Sequence, residues 1–65
     1  MLYLEPVRTP TQFPTLTIHD VETDYQVGTV QLDDDNEIRI SIKRNYRDHF
    51  DLWLSIEAKE LLNQA

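Results

Sequence analysis

Residues 25–42 read YQVGTVQLDDDNEIRISI, and this stretch decides the fold. Its second half alternates without a break. Over residues 37–44, Ile38, Ile40 and Ile42 point one way, while Glu37, Arg39, Ser41 and Lys43 point the other. Strict alternation is the period of a half-buried strand. Residues 25–32 read as a second strand with one flaw: Tyr25 and Val27 share a face, but Val30 and Leu32 share the opposite one. The phase flips at Gly28, the only glycine in the chain. A glycine at a phase break predicts a β-bulge that bends the strand. Between the two strands stands Asp33-Asp34-Asp35-Asn36. Asp and Asn tolerate turn geometry and bond their own backbone, so the whole stretch is a hairpin.

Working outward, residues 15–19 alternate with Leu16 and Ile18 on one face, a third strand, and residues 20–24 are polar enough for a turn. Residues 1–14 carry all three prolines, at 6, 10 and 14. Proline removes a donor and fixes φ, so this segment reads as an extended arm, with at most an edge strand near residues 2–4. Tyr3 and Phe13 would be its anchors on a partner. Downstream, residues 45–49 form a polar loop and residues 50–54 read as a short strand. Ser55 is then a good helix N-cap, with Glu57 in the first turn. Ala58, Leu61, Leu62 and Ala65 fall at i, i+3, i+4 and i+7, one face of a helix too short to stand alone. That stripe must pack on the sheet. Alternation through residues 50–54 sets Trp53 opposite Leu52 and Leu54. The indole then lies either outside, as a binding anchor, or in the core; weight of apolar surface favours the core. The expected fold class is α+β: a three- to four-stranded antiparallel β-sheet with one C-terminal α-helix packed on one face. Residues 1–14 are the arm and residues 15–65 the single small domain.

A chain of 65 residues holds one domain with a marginal core. There is no cysteine for a disulfide, and two histidines cannot build a structural zinc site. Tight packing, or burial of apolar surface in a homodimer or with a partner, must supply the rest. The net charge of −6 repels DNA phosphates and anionic lipid. Residues 1–4 are too few for the hydrophobic region of a secretory signal, and no apolar run approaches the ~20 residues of a membrane span. With the absence of cysteine, the expected location is the cytoplasm.

The residues that carry chemistry are few. Asp33, Asp35 and Glu37 alternate as the first ligands of a calcium loop do, but Ile38 replaces the glycine needed at the sixth position and no glutamate stands at the twelfth. A solvated acidic tip is the expectation, with no metal. His19 and His49 lie near Asp20 and near Asp48 and Asp51. A catalytic histidine needs a nucleophile or partnered acid in a pocket, and one thin sheet with one helix offers little interior. There is no glycine-rich phosphate loop and no cysteine nucleophile. Neither enzyme activity nor a cofactor is expected.

Charge is distributed unevenly. Asp20, Glu22, Asp24, Asp33, Asp34, Asp35 and Glu37 lie between Thr9 and Ile38 without an intervening cation. They are the candidate partner-binding residues, matched to a basic protein surface such as that of a nucleic-acid-binding enzyme, with Trp53 and Tyr25 as apolar anchors. Four of the six cations crowd into residues 39–47. Within that segment Lys43, Arg44, Tyr46 and Arg47, followed by His49, have the look of a single-strand nucleic-acid contact. The simpler expectation is that these cations pair with Asp48, Asp51 and the acidic hairpin.

Two resemblances follow. The strand opening Tyr25-Gln26-Val27-Gly28, the strand Ile38-Arg39-Ile40-Ser41-Ile42-Lys43-Arg44 running into Tyr46, and Leu54-Ser55 turning into the helix through Leu61 resemble the pattern of the positive cofactor four coactivator family. That resemblance implies a curved sheet, a dimer packed through its helices, and single-stranded nucleic-acid binding by basic and aromatic sheet residues. Here Asp33, Asp34 and Asp35 stand at the hairpin tip where basic residues would be expected. In size, charge and lack of catalytic equipment the chain also resembles small phage-encoded inhibitors of the anti-CRISPR and DNA-mimic type. That profile implies a non-enzymatic inhibitor or regulator, in phage counter-defence, whose carboxylates imitate a phosphate row.

Overall fold

A bulge at Val27, next to Gly28, organises the sheet. In the computed structural model, which describes residues 1–7 and 13–63, the chain runs β1 (Leu2–Pro6), β2 (Thr15–Asp20), β3 (Gln26–Leu32), β4 (Ile38–Ile42), a 3₁₀ turn η1 (Arg44–His49) and α1 (Leu52–Asn63). The strands pair antiparallel in the order β1-β2-β3-β4, a meander with β1 and β4 at its edges. Between β2 and β3 the register slips: Ile18 lies opposite Gly28, but His19 lies opposite Gln26, so Val27 has no counterpart on β2. The slip lets Val27 and Val30 both point into the core despite their odd spacing. Gly28 also meets β4 closely. A Cβ there would lie 2.3 Å from the Ser41 carbonyl oxygen and 2.9 Å from Ile42 Cα, so only glycine fits.

α1 lies across β1, β2 and β3. Leu54, Ala58 and Leu62, at i, i+4 and i+8, close the core over Leu2, Leu16, Ile18, Val27 and Val30. No polar side chain is buried with them among the described residues. The edge strand expected near residues 2–4 extends to Pro6, and Leu2 belongs to the core. Residues 8–12 of the expected arm, and Ala65 of the expected helical stripe, lie outside the described residues.

Two expectations fail at one place. Residues 50–54 are not a strand, because α1 already begins at Leu52. Its N-cap is Asp51 and not Ser55. The Leu54 N–H donates to Asp51 Oδ1 at 3.0 Å, and the Ser55 N–H donates to the Asp51 carbonyl at 3.2 Å. Ser55 is thus inside the helix and Glu57 is beyond its first turn. Helical spacing separates Leu52 from Leu54, and Trp53 is 78% exposed, contrary to its expected place in the core. Among the described residues no helix is long and apolar enough to cross a membrane.

Candidate protein-binding surface

In a meander, consecutive turns fall at opposite ends of the sheet. The seven candidate carboxylates are therefore divided. Asp20, Glu22 and Asp24 belong to the β2–β3 turn, and Asp33, Asp34, Asp35 and Glu37 to the β3–β4 turn. The strand between them spans roughly 20 Å at ~3.3 Å per residue. They do not form one face.

Each turn is fixed by its first aspartate. Asp33 Oδ1 accepts the N–H of Asp35 at 3.0 Å and of Glu37 at 2.9 Å, and Oδ2 accepts Arg39 Nε at 2.7 Å. The Glu37 N–H, and then the Arg39 guanidinium, hold the Asp33 carboxyl below the usual carboxylate range. Asn36 sits at φ 63°, a left-handed conformation that asparagine tolerates. Asp20 plays the same part at the other end, where its Oδ1 accepts the Glu22 N–H at 2.8 Å. That bond, joined by the Tyr46 hydroxyl and the Thr23 N–H, lowers its pKa. Asp24, at φ 62°, accepts the Tyr3 hydroxyl, which pushes the Tyr3 pKa up to about 12. Asp20 and Asp33 are thus fasteners within the molecule. Asp34, Asp35 and Glu37 remain exposed and, among the described residues, form no ion pair.

The two ends differ in their surroundings. Because Ile42 lies opposite Gly28, the chain leaves β4 at the β2–β3 end, and η1 settles there. Tyr46 rests partly buried against the core and donates its hydroxyl to Asp20, which raises its own pKa. Lys43, Arg44 and Arg47 are exposed and form no ion pair among the described residues. Among the described residues the expected neutralisation by Asp48, Asp51 and the acidic hairpin is not found: β4 carries these cations away from the 33–37 turn, and Asp51 is engaged at the start of α1. The β2–β3 end is two-signed and the β3–β4 end is acidic.

Asp33, Asp34 and Asp35 can bring one oxygen each within 4.8 Å of one another. Both Asp33 oxygens are already engaged, one of them by a guanidinium, so this trio is a poor cation cage.

His19 lies on the open face of the sheet. Its ring stacks on Tyr3 with centroids 5.0 Å apart. Nε2 is 2.7 Å from the Thr17 hydroxyl and 3.5 Å from Glu5 Oε2. A nucleophile relay places hydroxyl and acid on opposite ring nitrogens. Here both approach Nε2, and the buried Nδ1 has no partner among the described residues. His49 is exposed, its ring 5.9 Å from that of Tyr46.

The apolar anchors are both at the surface: Tyr25 is 72% exposed and Trp53 78%. Leu52, Ile56 and Ile40 are exposed as well and were not apparent from the sequence. The available signal was their spacing, since Leu52 and Ile56 stand at i, i+4 off the Leu54–Ala58–Leu62 stripe. No protein-family model, no curated protein and no solved structure matches this chain.

Proposed function

We propose that this protein is a non-enzymatic protein-binding module, an inhibitor or regulator that engages a basic partner surface through the acidic β3–β4 turn. One observation carries this reading. Asp34, Asp35 and Glu37 are exposed and, among the described residues, form no ion pair, on a turn braced by the Asp33 carboxylate and the left-handed Asn36. A turn backbone braced before encounter loses little freedom on binding, and the field of its carboxylates speeds approach to a cationic patch. Trp53 or Tyr25 supplies the apolar anchor such an interface needs. The His19 cluster lacks relay geometry, which favours binding over catalysis. A basic nucleic-acid groove is one surface of the required chemistry.

The test is capture from a lysate of the source cells at low and high salt, with mass spectrometry of the retained proteins. Retention of a basic protein at low salt and its release at high salt supports the reading. Retention that ignores both salt and an Asp34→Lys/Asp35→Lys exchange contradicts it.

A second reading rests on Lys43, Arg44 and Arg47, which form no ion pair among the described residues, beside Tyr46 and His49: a single-stranded nucleic-acid contact. It is weaker because the Tyr46 ring packs on the core and its hydroxyl is bound to Asp20. An oligonucleotide titration at low salt decides it. Binding that falls with salt and with Arg44→Ala supports this reading, and absence of binding excludes it.

A further inference from the structure

β4 is an unprotected edge. β1, the other edge, ends on Pro6, which offers no N–H, whereas β4 contains no proline. The bond from the Lys43 N–H to the Val27 carbonyl shows which groups of β4 face inward: those of residues 39, 41 and 43. The N–H and C=O groups of Ile38, Ile40 and Ile42 therefore face outward, and among the described residues no hydrogen bond reaches them. The same isoleucines are poorly covered. α1 lies over β1, β2 and β3, leaving a groove of about 250 Å³ between β4 and the helix, lined by Ile38, Ile40, Ser55, Ala58 and Lys59. Ile40 is 45% exposed there, and Leu52 and Ile56 are exposed on the helix.

We propose that a second copy of this chain occupies this edge, pairing β4 with β4 antiparallel about a two-fold axis at Ile40 and joining two sheets into one. The register follows from two independent features. Centred on Ile40, the pairing sets Ile38 opposite the second copy's Ile42, so all the outward backbone groups of the three isoleucines find partners. The same register places Glu37 opposite the second copy's Lys43, on both sides of the axis. A centre at Arg39 would oppose two guanidinium groups, and a centre at Ser41 would oppose Arg39 with Lys43. Charge thus rejects both neighbouring registers. The two helices would stand on the same face, and the half-covered isoleucine rows would meet beneath the gap between them. A small domain without disulfides gains there the apolar burial it lacks alone.

This dimer shares Glu37 with the acidic-turn reading and leaves Asp34 and Asp35 free at the tip; purified protein alone reveals it, so the two can fail separately. Sedimentation equilibrium of the full chain, with Glu37→Lys, Lys43→Glu and the double exchange, is the experiment. The wild type sediments as a dimer. Each single reversal raises the dimer dissociation constant about tenfold, and the double exchange restores it. Ile40→Lys, which puts like charges on the axis, gives a monomer with wild-type circular dichroism. A monomeric wild type at high concentration, or a dimer indifferent to the single reversals, overturns the proposal.

Discussion

Asp33 shows how one side chain can define a turn. Its oxygens hold two backbone N–H groups and a guanidinium, and those bonds are strongest while it is ionised. With its folded pKa below the ordinary 3.8, led by the Glu37 N–H, it stabilises the fold above that pH. The contribution disappears as pH falls through the lowered value. Asp33→Asn should therefore unfold more readily near neutrality and show a flatter loss of stability as pH falls below the ordinary 3.8, measured by urea denaturation across a pH series. Tyr3 acts with the opposite sign. Its pKa is raised to about 12 by Asp24, so its contribution is complete below the ordinary value of 10.0 and is lost as pH climbs through 12. Tyr3→Phe should remove the phenolate absorbance that develops near pH 12. Gly28 needs no left-handed backbone, since its constraint is the nearness of Ser41 and Ile42. Gly28→Ala should cost about 1–3 kcal/mol in chemical denaturation, because β4 must move to admit the methyl group.

At the scale of elements, the strands were legible because the period-2 alternation of Leu16 and Ile18, and of Ile38, Ile40 and Ile42, admits no helical reading. The phase break at Gly28 likewise announced the bulge. The start of α1 was not legible. Phe50-Asp51-Leu52 alternates apolar and polar, and the short apolar run Leu52-Trp53-Leu54 that follows fits strand or helix equally. What decides it is the Asp51 cap together with the depth available to Leu54 under the sheet. Asp51→Ala should lower stability by about 1 kcal/mol, with loss concentrated in the first helical turn by hydrogen exchange. Ser55→Ala should change it little. Leu16→Ala, in the centre of β2, should cost about 2–5 kcal/mol.

For the whole molecule, charge asymmetry was visible in the sequence but its layout was not. Asp24 and Asp33 are neighbours in composition, yet a meander sends successive turns to opposite ends of a particle about 30 Å long. Strand length and hairpin connectivity together carried that information; the run of carboxylates alone did not. The folded protein has an acidic end at Asp34, Asp35 and Glu37 and a two-signed end where η1 meets Asp20. The proposed function rests on the first of these. The most direct measurement is titration of a captured basic partner with wild-type protein and with Asp34→Lys/Asp35→Lys, across a series of salt concentrations. Weakened binding and a shallower salt slope in the variant, with circular dichroism unchanged, is the predicted result. Equal affinity and equal slope for the two proteins would contradict it.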